Sequence, residues 1–300
     1  MKKALLFFLI SIYSVGKLIA CISTVLPKSN VSDTTFFVQT NDARLATSLY
    51  YPTTPAKNIT LIVVHGAKKF DRQYYTPLAT KFIQMGFHVV LFDKRGTGES
   101  TGKYKDVNVK SSLEAFPDLA LDLAYVCHHV NKINGIQNNK IGLLATSQGG
   151  WIFPIVLKEK NNIDFVISLS GPTVSIDHES LYSKLTGDEK PNQDYKPDVD
   201  IKKISDQVKF LTESKGYDPQ NDILKITIPV LWIYGAKDLS VPALLCEEKI
   251  RFYQGTHAKI NFSVYTFPDA NHSLINIHTN KAENYLPVIE DWLISNHLTK

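Results

Sequence analysis

The chain has 300 residues, of which 44% are hydrophobic, and its 33 lysines and arginines stand against 29 aspartates and glutamates. This composition is that of an ordinary globular protein, and a net charge of +4 is too small to indicate a nucleic-acid-binding protein. A single domain is the favoured organisation for this length.

The first segment of the chain predicts export. Two lysines precede an uncharged run over residues 4–15, which has the length of a signal-peptide core and is too short to span a bilayer comfortably. Residues 18–21 read Leu-Ile-Ala-Cys and resemble a bacterial lipobox, in which the cysteine is lipidated and becomes the new N-terminus. We therefore expect a signal peptide over residues 1–20, membrane anchoring through lipid on Cys21 and a linker over residues 21–34. The alternative is release into the periplasm or the medium.

The rest of the chain alternates between predicted strands and helices. The segments TFFVQT and RLATSLYYP predict an antiparallel pair, and NITLIVVHG and FHVVLFDKRG have the continuous apolar character of strands buried on both faces. The next helix is expected to carry Pro117 in its first turn. Further strands are predicted at KIGLLAT, DFVISLSG, IPVLWIYG and INFSVYTFP, each next to a segment with helical spacing. This alternation predicts an α/β domain over residues 35–300, with a mostly parallel sheet and helices on both faces.

Ser147 stands where a strand must turn directly into a helix. Such a turn pushes the hydroxyl out of the sheet and places it near a helix N-terminus, where free N–H groups favour developing negative charge. The sequence around it, ATSQGG, resembles the Gly-x-Ser-x-Gly nucleophile elbow, with Ala145 in place of the first glycine. Ser147 is therefore a candidate nucleophile, although a serine here could also serve only as a helix cap.

A nucleophilic serine needs a base and an acid that orients the base. Asp238 follows the strand IPVLWIYG and His272 follows the next strand, so both are expected at the same sheet edge as Ser147. Asp269 is the rival acid. The order serine, acid, histidine along the chain is that of the α/β-hydrolases.

An oxyanion hole is also required, and two main-chain N–H groups are the candidates. The N–H of Ala67 follows the strand that ends in His65-Gly66, and the N–H of Gln148 follows the candidate nucleophile. The segment DKRGTGES, which begins at Asp93, contains only a partial glycine-rich loop and resembles a recurrent structural turn of the hydrolases more than a nucleotide site. No spacing indicates a metal site.

With these motifs, residues 35–300 resemble the α/β-hydrolase superfamily. The likeness is greatest to its dienelactone-hydrolase-like, serine-aminopeptidase-like and acyl-CoA-thioesterase-like branch. It implies hydrolysis of a small-molecule ester, thioester or amide through an acyl-enzyme, without a cofactor. In that mechanism Ser147 attacks the carbonyl, His272 carries the proton and Asp238 orients the imidazole.

Residues 172–227 interrupt the alternation and are polar and longer than the roughly 12–15 residues of an ordinary loop. We expect a small inserted cap over the site, rather than a disordered loop. Its apolar side chains are expected to face the site: Leu181, Tyr182, Leu185 and Tyr195.

The hypotheses are an ester hydrolase, then a peptidase, amidase or acyltransferase with the same triad, and last a non-catalytic binding protein. An aminopeptidase would use acids of the cap to hold a substrate ammonium, and the candidates are Glu179, Asp188, Glu189, Asp194, Asp198 and Asp200. An acyl-CoA enzyme would use a basic mouth, for which Lys68 and Lys69 are available. Cys127 and Cys246 have the setting of buried thiols, and a bridge between them stays open.

Overall fold

The computed structural model describes residues 33–158, 162–188, 199–210 and 214–299. The predicted signal peptide, Cys21 and most of the predicted linker therefore lie outside the described residues, as does Tyr195. The first strand begins at Asp33, two residues before the predicted start of the domain, because its pairing with the second strand extends to Tyr50.

Eight strands form one sheet in the order β1-β2-β4-β3-β5-β6-β7-β8. Their bounds are β1 Asp33–Gln39, β2 Arg44–Tyr50, β3 Ile59–Val64, β4 His88–Phe92, β5 Lys140–Thr146, β6 Phe165–Leu169, β7 Val230–Gly235 and β8 Phe262–Phe267. β2 pairs with β1 and β4 in antiparallel fashion, and all other pairs are parallel. The predicted strands and the mostly parallel sheet are thus confirmed.

Eight α-helices and one short 3-10 helix at Arg72–Tyr75 accompany the sheet in the described part of the chain. Their bounds are α1 Thr76–Gln84, α2 Ser112–Val130, α3 Gly149–Val156, α4 Ile176–Thr186, α5 Ile201–Lys209, α6 Gln220–Ile223, α7 Ala243–Thr256 and α8 Leu286–Ser295. Pro117 lies inside α2, so the prediction that it occupies the first turn was wrong. A proline there leaves the carbonyl of Leu113 without its helical partner, and water can satisfy that carbonyl because Leu113 is 63% exposed.

The core of the domain is the sheet with both of its faces covered. Every residue of β3, β4, β6 and β7 is buried, and successive side chains of a strand point to opposite faces. Aromatic side chains connect the sheet to the helices. Phe153 of α3 meets Trp232 of β7 with ring centroids 6.1 Å apart, and Trp292 of α8 meets Phe165 of β6 at 6.0 Å. Each buried side chain of this size contributes on the order of 1.5–3 kcal/mol.

The parallel strands end together at one edge of the sheet. Val64 pairs with Ala145, Thr146 with Leu169, and Gly235 with Phe267. The loops that follow β3, β5, β6, β7 and β8 therefore emerge side by side. Helices α4, α5 and α6 lie in the segment between β6 and β7 for which a cap is predicted.

Candidate active site

Ser147 occupies a sharp turn between β5 and α3. Its φ angle is +47°, in the left-handed region that side chains other than glycine rarely adopt. The turn is held because the Ser147 N–H donates to the carbonyl of Leu169 at 2.9 Å. A strained backbone that the surrounding sheet enforces is a common property of functional sites.

Two glycines make this turn possible. A Cβ atom on Gly149 would lie 2.8 Å from the carbonyl oxygen of Val64 and 3.2 Å from the Cβ of Ala145. A Cβ on Gly150 would lie 2.7 Å from the Cα of Gly171. The methyl group of Ala145, the departure from the usual elbow pattern, therefore fits because residue 149 has no side chain.

The structure brings Ser147, His272 and Asp238 together. The Ser147 Oγ lies 3.0 Å from Nε2 of His272, and Nδ1 of His272 lies 2.8 Å from Oδ2 of Asp238. Because a carboxylate only accepts, Nδ1 carries the proton and Nε2 is left to accept from the serine. Asp238 is buried, and its Oδ1 accepts from the N–H groups of Ser240 and Val241 at 2.8 Å each. Asp269, the rival acid, lies against the exposed His278 at 3.5 Å.

The basicity of His272 reflects its surroundings. Burial lowers its pKa, but the charge and hydrogen bond of Asp238 raise it, with smaller contributions from Asp188 and Glu179. The pKa ends above its ordinary value. The backbone of His272 is also held in place, because the Ser170 Oγ donates to its carbonyl at 2.8 Å. Nothing in the amino-acid pattern indicates this role of Ser170.

The loop that follows β3 approaches Ser147 closely. A Cβ on Gly66 would lie 3.4 Å from the Cβ of Ser147, so the next N–H group, that of Ala67, is beside the candidate nucleophile. Gln148 precedes the first turn of α3, where N–H groups lack partners within the helix. Both candidate oxyanion donors thus border Ser147.

Lys94 holds the candidate oxyanion loop, residues 66–68, through hydrogen bonds to its main chain. Its Nζ donates to the carbonyl of Gly66 at 3.0 Å and to that of Lys68 at 2.5 Å, the two carbonyls that flank Ala67. Lys94 is only 4% exposed, and burial lowers its pKa to about 8, against a smaller opposite contribution from Asp106. Tyr75 makes a third hydrogen bond to this loop, because its hydroxyl accepts from the Gly66 N–H at 2.8 Å.

His65 supports the same loop by packing. Its ring stacks between those of Tyr75 and Phe92, with centroids 4.4 and 5.0 Å away. Burial lowers its pKa to about 3, with Lys94 adding to the effect, so the ring is neutral at physiological pH. Neither ring nitrogen has a hydrogen-bond partner within the described residues. A buried neutral ring that packs between two aromatic side chains holds the loop and does not serve as the base.

Two cavities meet at Ser147. The amide-side cavity, of about 620 Å³, reaches Ala67, Gln148, Trp151, Ile176 and Glu179. The histidine-side cavity, of about 850 Å³, reaches His272, Phe70, Tyr74, Asp188 and Lys237. Ser147 and Ala67 border both cavities.

Comparison with known proteins assigns the chain to a family. The family model for serine aminopeptidase, S33, matches residues 55–216, which is more than half of the chain. The chain belongs to this family. It is therefore a serine hydrolase enzyme of the α/β-hydrolase type, as the sequence motifs implied.

Other relatives are more distant. Quorum-quenching protein AidA of Acinetobacter baumannii (strain MDR-ZJ06) is 29% identical over 129 residues, which are 43% of this chain and 40% of that protein. The match thus spans less than half the length of that curated relative. The Pyrococcus furiosus esterase Pf2001 has the same fold, with a TM-score of 0.61, 19% identity, and coverage of 88% of this chain and 92% of that one. Est1E of Butyrivibrio proteoclasticus, solved with ferulic acid, aligns with a TM-score of 0.57, 17% identity, and coverage of 87% and 99%.

The turn that begins at Asp93 has a structural role in this S33 family member. Asp93 is fully buried and accepts from the N–H and the guanidinium of Arg72 and from the N–H of Glu99. Arg95 makes a two-bond contact with Asp122 of α2, 2.7 Å in each bond. The charged groups of the segment are therefore engaged in contacts with other parts of the protein, which agrees with the prediction of a structural turn.

The cap of this hydrolase contacts the site differently from the prediction. Tyr182 is buried and does not line either cavity, because its hydroxyl donates to the carbonyl of Asp238 at 2.7 Å. Leu181 packs against the core and Leu185 is 45% exposed. Glu179 and Ser180 border the amide-side cavity instead. Tyr182 lies about 200° around α4 from Ser180, so these two side chains point to opposite sides of the helix.

Other sites considered from the sequence are settled in part. Cys127 and Cys246 are both buried and free, so no bridge joins them. Among the described residues, no group of three or more histidine, cysteine, aspartate or glutamate side chains could hold a metal ion. Within the same ranges, each helix is too short or too polar to cross a membrane.

Proposed function

We propose that the protein hydrolyses carboxylic esters through an acyl-enzyme formed on Ser147. The observation that carries the proposal is the hydrogen-bonded path from the buried carboxylate of Asp238 through His272 to the Ser147 Oγ, with distances of 2.8 and 3.0 Å. An imidazole in a fixed tautomer beside a serine hydroxyl is the arrangement that activates serine as a nucleophile.

In the first half of the reaction the Oγ of Ser147 bonds to the ester carbonyl carbon while its proton moves to Nε2 of His272. The carbonyl oxygen becomes an oxyanion, which the N–H groups of Ala67 and Gln148 would stabilise. Asp238 stabilises the imidazolium formed in this step. The carbon–oxygen bond of the leaving group then breaks, and the proton on Nε2 goes to the departing oxygen. Water repeats the sequence on the acyl-enzyme and releases the acid.

An ester is favoured over an N-terminal peptide substrate by the charges at the site. Both cavities contain carboxylates, Glu179 in one and Asp188 in the other, and these could attract a substrate ammonium. Lysines offset them, because Lys110 borders the amide-side cavity and Lys68 and Lys237 border the histidine-side cavity. An aminopeptidase remains the second candidate, supported by Glu179 and by the family description.

The test is turnover of a small activated ester, p-nitrophenyl acetate, beside a thioester and a panel of aminoacyl p-nitroanilides. We expect the ester to have the highest kcat/KM, and Ser147→Ala or His272→Ala to lower kcat by roughly 10⁴–10⁶-fold. Ser295→Ala, an exposed serine on α8, is the control. Substantial turnover by Ser147→Ala would refute the mechanism, and a preference for anilides would favour the aminopeptidase.

We also propose that the protein is exported and anchored by lipid on Cys21. The proposal is supported by the charged start, the apolar run and the Leu-Ile-Ala-Cys sequence of residues 18–21. More than one acyl chain is needed for stable anchoring. Incorporation of labelled palmitate and recovery in the membrane fraction are expected for the parent and not for Cys21→Ser. Equal membrane recovery of both proteins would contradict the proposal.

A further inference from the structure

The chemistry of the two cavities differs, and the position of His272 assigns a part of the substrate to each. Because Nε2 of His272 must protonate the departing oxygen, the leaving group has to lie on the histidine side of Ser147. The acyl chain then occupies the amide-side cavity, beside Gln148 and Trp151. This assignment rests on the ester hydrolysis proposed above.

Four aromatic side chains line part of the histidine-side cavity. The rings of Phe70 and Tyr74 stack in parallel, with centroids 3.8 Å apart and an angle of 5°, and Tyr74 meets Tyr75 edge-on at 5.2 Å. Tyr285 contributes a further ring to the same lining. Tyr74 nevertheless remains 56% exposed. Its neighbours thus fix its ring while part of its surface stays open to a ligand.

From this arrangement we infer that the preferred substrates are esters of aromatic alcohols, whose ring packs against Phe70 and Tyr74 as the leaving group. A flat ring gains more than an aliphatic ring of the same size, because aromatic pairs interact beyond the area that they bury. Charge supports an uncharged or anionic alcohol, since Lys68 and Lys237 outnumber Asp188 at this cavity. In the reaction the bond from the acyl carbon to the alcohol oxygen breaks, and the proton from His272 leaves with the alcohol.

The experiment compares two acetates, benzyl acetate and cyclohexylmethyl acetate. Their acyl groups are identical, their alkoxides are similar in basicity, and the cyclohexyl compound is the more hydrophobic. A cavity that binds the leaving group only through hydrophobic burial would therefore favour the cyclohexyl ester. We expect the benzyl ester to have a kcat/KM higher by about three- to tenfold, the factor for one aromatic pair. A ratio of one or less would overturn the inference.

Variants locate the origin of the preference. Tyr74→Leu and Phe70→Leu keep an apolar side chain and should reduce the ratio of the two kcat/KM values to about one. Phe252→Leu replaces an exposed ring on α7 outside both cavities and should keep the parental ratio. A high ratio that survives both cavity variants would overturn the assignment of this wall. Hydrolysis of both acetates without aromatic preference rejects only this inference, whereas no hydrolysis of any ester rejects the proposed function and this inference with it.

Discussion

Lys94 allows the support of the oxyanion loop to be tested without touching the groups proposed to react. Its buried ammonium donates to the carbonyls of Gly66 and Lys68, on either side of Ala67. We predict that Lys94→Met lowers kcat by about 10- to 100-fold with little change in stability. Removing one oxyanion donor costs about 10²–10³-fold, and this variant would displace the Ala67 N–H without removing it.

The expected change in stability follows from two opposing contributions. The pKa of Lys94 falls from 10.5 to about 8 through burial. At about 1.36 kcal/mol per pKa unit, keeping the ammonium charged there costs about 3 kcal/mol, and methionine removes that cost. Two carbonyls then lose a donor, at roughly 1–3 kcal/mol each. Because the contributions are similar in size, we expect Tm to change by only a few degrees.

The assay is kcat for p-nitrophenyl acetate together with the Ki of a trifluoromethyl ketone, whose serine adduct carries an oxyanion at the same position. In Lys94→Met kcat should fall and the Ki should rise by the same factor, because both depend on the oxyanion donors. Lys103→Met removes an exposed lysine of the following turn and is the matched control. A folded Lys94→Met variant with kcat within twofold of the parent would refute the reasoning.

Three other substitutions test neighbouring parts of the site. Glu179→Gln removes a negative charge that raises the pKa of His272, so the pH at which kcat/KM falls on the acid side should become lower. An unchanged pH profile would contradict a contribution of Glu179 to the pKa of His272. Gly149→Ala places a Cβ 2.8 Å from a main-chain oxygen and should lower both Tm and kcat, and a fully active, equally stable variant would show that the elbow can relax. Tyr182→Phe deletes the hydrogen bond to the Asp238 carbonyl and should cost about 0.5–1.5 kcal/mol in unfolding free energy, measured by urea denaturation; equal stability would mean that water replaces the hydroxyl.

The sheet and the candidate triad were accessible from the sequence for a clear physical reason. Strands covered on both faces must be continuously apolar, so β3 and β7 could be recognised without periodicity. Ser147, Asp238 and His272 each closely follow a predicted strand, and the ends of parallel strands converge at one edge. The positions of these three side chains therefore followed from local signals combined with one topological rule.

The supporting contacts could not be predicted in this way. Lys94, Ser170 and Tyr182 each donate to a main-chain carbonyl that is distant in the sequence. Any residue supplies a carbonyl, so the acceptor leaves no trace in the amino-acid pattern. The orientation of α4 was missed for a related reason. Its sequence has no strong apolar face, and only the folded structure shows that Tyr182 turns toward Asp238 while Glu179 borders the cavity.

The bond between Tyr182 and the Asp238 carbonyl affects how such an enzyme could be recombined with its relatives. Thr186, one turn further along α4, likewise donates to the carbonyl of Leu239. The inserted segment therefore holds the loop that presents the acid, and it also contributes Glu179 and Ser180 to the amide-side cavity. A chimera that receives another hydrolase's cap would inherit new substrate contacts but lose both hydrogen bonds, unless the donor segment carries hydroxyl groups at the same two positions on its first helix.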